Sequence, residues 1–307
     1  MKIGIPRAFL YYRYKELWET FFHELGIDYV VSPETGPEIV RTGSLYAIDE
    51  ACLSAKVYLG HVEWLIGKCD YILVPRIAGL GAGAVCSKFQ AIYDVVANTF
   101  RERKIKLAGY NLAPGVKEGE MAAFIRLGQF CGRKKAGCVL AYMAAKQAEK
   151  QALWKELQEQ ESLLQRQGIK VLVVGHRYNV ADKFIGEPVL QYLRELGVIP
   201  VPADIVPRKK AVLLSAEMSE TLPWAFAKEL VGSVVFYRER VDGLLILSTF
   251  PCGPDSLVNE MLLRRVKDKP VLNLVLDGHE AMAGIETRLE SFFDIICMQK
   301  GETSVCL

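Results

Sequence analysis

Short apolar runs separated by amphipathic helical stretches recur along the whole chain, and this alternation constrains its fold more than any other feature. Tyr71-Ile72-Leu73-Val74 and Leu244-Leu245-Ile246-Leu247 are apolar at every position. Strict alternation would mark a strand with one wet face, whereas a continuous apolar run marks a parallel strand covered on both faces. Parallel neighbours need a crossover, usually a helix. Residues 11–25 supply one between strands at 2–5 and 28–31, with Leu17, Trp18, Phe21, Phe22 and Leu25 at three- and four-residue spacing and Gly26 as the stop.

The second half repeats this outline. Strands are predicted at 170–174, 199–201, 244–247 and 271–276, with helices at 189–196 (stopped by Gly197), 224–240, 256–266 and 284–296. A long helix rich in Ala, Gln, Glu, Lys and Leu separates the halves. The expectation is an α/β protein of two Rossmann-like doubly wound domains with a cleft between them and a long connecting helix. The N-terminal domain is placed at 1–133 and carries Cys52 and Cys86; the helical linker is 134–167; the C-terminal domain, 168–307, carries Cys252. Ligands of such sheets sit beyond the carboxyl ends of the strands. The Cys86 and Cys252 loops are therefore expected on opposite walls of the cleft.

The 307 residues suffice for two cores, and the formal charge of +2 gives no electrostatic footprint for nucleic acid. No apolar run approaches the roughly 18–20 residues of a membrane span. The first residues enter a strand directly rather than a signal peptide, so a cytoplasmic protein is expected. Eight cysteines in a reducing compartment are not expected to pair as disulfides. Cys69, Cys138 and Cys297 read as small buried hydrophobes, and Cys306 lies in a polar tail. Cys131 stands beside Arg133, Lys134 and Lys135, whose charge would favour a thiolate. The chain contains no C-x-x-C pair, so zinc-ribbon and dithiol spacings are missing.

Cys52, Cys86 and Cys252 differ from the others. Each is placed immediately before a helix, and the last two lie just past a strand. Three thiolates near helix N-termini could hold an iron–sulfur cluster with one iron open, and Lys56, Arg76 and Lys88 would offset its charge. By spacing alone, three cysteines dispersed from residue 52 to residue 252 are a weak signal. The loop Gly79-x-Gly81-x-x-Ala84 formally matches a dinucleotide fingerprint, but Pro75-Arg76 intervenes after the strand and the next strand ends basic rather than acidic. Its glycines read equally as close approach of backbone to a ligand or partner. Past strand ends lie His279 and Glu280, and His176 with Tyr178 and nearby Asp182; His279, Glu280 and His176 are the acid–base candidates. His61, within the helix after Cys52, reads as a packed or surface residue. The long helix could also pack against a second subunit.

The chain resembles the 2-hydroxyacyl-CoA dehydratase component family, in particular its stand-alone branch related to CoA-substrate-specific enzyme activases and to double-cubane cluster proteins. The matching segments are Ile3-Gly4-Ile5-Pro6-Arg7-Ala8, Asp49-Glu50-Ala51-Cys52-Leu53 with Lys56, Gly60-His61-Val62, Val74-Pro75-Arg76 and Cys86-Ser87-Lys88-Phe89. Gly175-His176 with Tyr178-Asn179, Phe250-Pro251-Cys252-Gly253-Pro254-Asp255-Ser256 and Thr287-Arg288-Leu289-Glu290 complete them. The resemblance implies an iron–sulfur cluster, of the [4Fe–4S] type by the family's pattern, held by Cys52, Cys86 and Cys252. It also implies electrons from a separate ATP-dependent activator or reductase, a homodimer or related subunit as partner, and a small molecule or acyl-CoA as substrate. The absence of a G-x-x-x-x-G-K-[ST] loop agrees with a separate ATPase. Asp277-Gly278-His279-Glu280-Ala281-Met282-Ala283-Gly284 departs from the family's usual segment, and Ser54 stands where proline is common. A larger double cluster would need about twice the thiolates, with Cys131 and Cys138 as the spare candidates.

Overall fold

The structure, a computed structural model, describes residues 1–81, 83–113, 119–278 and 282–301. It divides into two compact units, one of Met1–Lys155 with Pro223–Ala225 and one of Glu156–Leu222 with Phe226–Leu307.

In the first unit the chain runs β1 (Lys2–Ile5), α1 (Tyr11–Glu24), β2 (Asp28–Val31), α2 (Pro37–Tyr46), α3 (Leu53–Leu65) and β3 (Tyr71–Leu73). It continues through β4 (Arg76–Ile77), β5 (Gly79–Leu80), β6 (Gly83–Ala84), α4 (Ser87–Thr99), β7 (Leu107–Ala108), β8 (Asn111–Leu112), α5 (Glu120–Phe130) and the long α6 (Lys135–Gln165). The sheet order is β2-β1-β3-β7, all parallel, with Ile3 opposite Tyr29 and Tyr71. Leu17, Trp18, Phe21 and Phe22 of α1 are buried, as their spacing predicts. Gly26, at φ +59°, closes α1 with bonds from its own N–H to the His23 carbonyl and from Ile27 to Phe22, a Schellman pair that only a residue tolerant of positive φ forms cheaply.

The second unit holds β9 (Lys170–Val174), α7 (Arg177–Val180), α8 (Glu187–Glu195), β10 (Ile199–Pro202), α9 (Arg208–Leu214), α10 (Ala225–Tyr237), β11 (Gly243–Thr249), α11 (Gly253–Arg265), β12 (Val271–Leu276) and α12 (Met282–Lys300). Its sheet, β10-β9-β11-β12, is also fully parallel. Every residue of the central β11 is buried, the apolar run Leu244–Leu247 together with the polar Ser248 and Thr249 that follow it. In both units the strands lie in the spatial order second, first, third, fourth. The chain is thus an α/β protein of two Rossmann-like units with a repeated topology. Each sheet reverses direction of growth between its first and third strands, which marks the crevice where such sheets bind ligands.

Several local expectations shift. The strand after the glycine-rich stretch is only Leu107–Ala108, and the segment after β9 contains the single turn α7. The glycine-rich stretch after β3 is an antiparallel hairpin, β5 with β6, rather than a tight strand-to-helix turn. The close approach its glycines permit is to the chain itself. A Cβ on Gly83 would stand 2.5 Å from the Pro223 carbonyl oxygen, and Ala84 N–H donates to that oxygen at 3.1 Å.

Candidate functional site

Cys52, Cys86 and Cys252 occupy one local setting three times. Each is the N-cap residue of a helix, of α3, α4 and α11 respectively, in extended backbone, and in none does the side chain cap its own helix. Extended φ/ψ is what an N-cap requires, and it brings the side chain near the first-turn N–H groups, where negative charge is stabilised by about 0.3–1 kcal/mol. Cys52 is buried; Cys86 and Cys252 are partly exposed. The first turns of α3 and α4 contain no acidic residue. They carry instead Lys56 and Lys88, cations at the end of the helix that ordinarily disfavours them. Two helix starts of that kind are electropositive twice over, from dipole and from side chain.

Cys252 has further company. His176, just past β9, and Asp255, in the first turn of α11 past β11, meet across the point where the second sheet reverses, with Nε2 2.9 Å from Oδ1. The two side chains are only 12% and 11% exposed. The His176 ring stacks on Tyr178 at 5.0 Å and meets Phe226 edge-on. Burial works against charging the imidazole, but the Asp255 carboxylate, with smaller help from Glu229 and Asp204, overcomes it and holds the ring above its ordinary value. Burial likewise opposes the Asp255 carboxylate, which His176 and a hydrogen bond with Cys252 nonetheless hold below the usual range. Thiol, carboxylate and imidazole therefore form one chain of contacts. Replacing Asp255→Asn is expected to move the His176 titration midpoint downward, because burial then acts with less opposition; an NMR titration reporting an unmoved midpoint contradicts this coupling.

Beside this chain, Arg177 forms a two-pronged pair with Glu156 and lies 3.6 Å from Asp204. Sequence reasoning names His176 but not Asp255 as its partner, nor the Arg177 pair. Asp182, the carboxylate nearer in sequence, instead accepts N–H bonds from Phe184 and Ile185. His279 and Glu280 lie outside the described residues.

Cys131, Cys138 and His61 resolve into packing. Cys131 is not activated by its basic neighbours: burial, reinforced by the adjacent Cys138 and only partly offset by Arg133, pushes its thiol up to about 11. Cys138 is fully buried against Gly128. His61 is fully buried, its two ring nitrogens bonded to Ser32 Oγ (2.9 Å) and Thr35 Oγ1 (3.0 Å), and burial lowers its pKa to about 3. A neutral folded ring and an unfolded ring that charges at 6.5 make the stability present above about 6.5 and lost as pH falls toward about 3, by about 1.4 kcal/mol per pH unit. Urea unfolding across this window should show a shallower pH slope for His61→Gln, by about one proton; an identical slope contradicts the assignment. Arg76 donates from Nη2 to Asp94 at 2.7 Å and lies over the Tyr93 ring.

Residues 2–206 match the model of the family described as CoA enzyme activase uncharacterised domain (DUF2229). The chain belongs to that family. Within the match to the CoA enzyme activase uncharacterised domain fall Cys52, Cys86 and His176; Cys252 and Asp255 lie beyond it. No curated protein matches the chain. Among solved structures, ZnuA is similar at 13% identity over 96% of this chain and 98% of that one, with a TM-score of 0.25. FpvC from Pseudomonas aeruginosa in complex with Mn2+ is similar at 13% identity over 96% and 97%, with a TM-score of 0.28. Scores this low carry no weight beside the sheets themselves. Among the described residues, no three or more His, Cys, Asp or Glu form a group able to hold a metal ion, and no helix is long and apolar enough to cross a membrane.

Proposed function

We propose that this member of the CoA enzyme activase uncharacterised-domain family is a redox protein whose iron–sulfur cluster, of the [4Fe–4S] type, is held by Cys52, Cys86 and Cys252. The observation that carries the reading is the threefold repetition of a cysteine at a helix N-cap. The donor set suits the group: three soft sulfurs, with electropositive helix starts and Lys56 and Lys88 to balance the negative charge of thiolates. When bound, such a cluster supplies a reversible one-electron site, with its potential set by hydrogen bonds and burial. The protein's own contribution is to keep the sulfurs on rigid helix ends. Asp255 and His176 orient Cys252 and hold a proton beside it.

The electrons would come from an ATP-dependent activator, the partner that the family resemblance implies. The acceptor would be a small molecule or acyl-CoA, and the site of action the reducing cytoplasm, which keeps cysteines as thiols. Anaerobic reconstitution followed by iron and acid-labile sulfide analysis tests the reading. About four irons per chain are expected; fewer than about one rejects it.

A second reading is favoured by the lack of a gathered metal group among the described residues. On it, the protein is a non-catalytic accessory, cluster-carrier or small-ligand-binding protein of the same fold. Cys52→Ala would then leave binding of its partner intact.

A further inference from the structure

The first unit contains a cleft of about 510 Å³ that neither Cys52 nor Cys86 lines. It runs along the edge strand β7 and the residues that follow it, between α4 and α5. Two guanidinium groups, Arg76 and Arg126, stand on its wall, and among the described residues no carboxylate does. Tyr93, Tyr110 and Phe130 add three aromatic rings, and Asn111 an amide. We propose that this cleft binds an anion built on a planar ring: an aromatic system carrying a phosphate or a carboxylate, as in a nucleoside monophosphate or an aryl acid.

The volume falls within the roughly 300–1,000 Å³ of small-molecule sites and exceeds what a bare inorganic anion would fill, so the anion must have a body. The aromatic walls specify that body. Tyr110, 5% exposed, packed on Phe124 and bonded through its hydroxyl to Trp18 Nε1 at 2.9 Å, forms a rigid base, which leaves Tyr93 and Phe130 as the rings a ligand can meet. Phe130 is 52% exposed although large and apolar, with its ring edge-on to Tyr71 at 5.1 Å. A planar ring would find stacking and edge contacts with these groups.

The guanidinium groups specify the charge. Asp94 engages one terminal nitrogen of Arg76, and Tyr93 lies under the guanidinium. The Nε of Arg76 is buried and has no acceptor within hydrogen-bonding distance among the described residues. Beyond that atom the Arg76 side chain is 37% exposed, so its outer nitrogens can meet an oxyanion in the forked geometry that arginine favours. Gly109 keeps the floor open: a Cβ there would stand 2.5 Å from the Val74 carbonyl oxygen and 3.5 Å from the Tyr93 ring.

The test titrates the full-length chain, without any cluster, with adenosine monophosphate and with 4-hydroxybenzoate, and with adenosine and benzyl alcohol as uncharged counterparts. Calorimetry gives the affinity, and amide NMR shifts at Gly109 and Asn111 locate it. Saturable binding of an anion, with its uncharged counterpart inert, is expected; which anion binds tells phosphate from carboxylate. Arg126→Met, on α5, should weaken binding by about tenfold, the loss of one charge-assisted hydrogen bond. Asp94→Asn should tighten it by releasing Arg76. The proposal is overturned if neither anion saturates, if the uncharged compounds bind as well, or if Arg126→Met leaves the affinity unchanged while circular dichroism shows the variant folded. Because the cluster plays no part, this outcome is independent of the iron analysis.

Discussion

Changing Cys86→Ser is expected to abolish the iron–sulfur chromophore that the proposed cluster would give. After anaerobic reconstitution the wild-type chain is expected to hold about four irons, and the serine variant fewer than about one, with loss of the sulfur-to-iron absorption. Serine preserves the N-cap, and in fact caps a helix better than cysteine, so α4 itself survives the change. Loss of iron would therefore report ligation rather than unfolding. Cys52→Ser and Cys252→Ser are expected to behave alike. Cys69→Ser is the control: its thiol packs beside Gly4 with Sγ directed to the Leu65 carbonyl at 3.5 Å, and burial raises its pKa, so it is held as a neutral packing group. Iron retained by the Cys86 variant, or lost equally by the Cys69 variant, contradicts the assignment.

The largest expected effect on stability comes from Gly60→Ala. A Cβ at Gly60 would collide with the Ile39 carbonyl, and one at Gly43 with the Lys56 carbonyl, so α2 and α3 touch backbone to backbone through both glycines. A side chain can rotate away from a clash, but a helical carbonyl cannot do so without moving its helix. The cost is about 1–3 kcal/mol or more, read as a shift of the urea midpoint without a change of slope. The same substitution should also weaken iron retention in the proposed cluster, because Cys52 is the N-cap of α3. A Gly60→Ala variant as stable as wild type would mean that the two helices do not pack backbone to backbone.

Much of this fold is legible in the amino-acid order. The apolar runs at 71–74 and 244–247 become central parallel strands, and Gly26 and Gly197 stop their helices with positive φ and the expected pair of backbone bonds. Less legible are two-residue strands such as β4 and β8, whose only cause is their pairing with each other across the intervening helix α4. The single turn α7 and the short α9 are likewise invisible, being too brief for an apolar period to show.

The site divides in the same way. The three helix-start cysteines can be recognised locally, because a cap is a local event. The bond between His176 and Asp255 cannot, since the residues are 79 positions apart and are joined only by the strand order. Their types carry a partial signal: a histidine past the first strand and an aspartate past the third are on the two sides of the reversal. Cys131 shows the opposite failure. Its basic neighbours in sequence suggest an activated thiol, but burial in the folded chain outweighs the nearby Arg133.

Diffraction data collected at the iron absorption edge from anaerobically reconstituted crystals test the central claim most directly. The account predicts an anomalous peak bonded to the sulfurs of Cys52, Cys86 and Cys252 together. A peak bound elsewhere, or iron-loaded crystals in which any of these three sulfurs stands away from the metal, would contradict it.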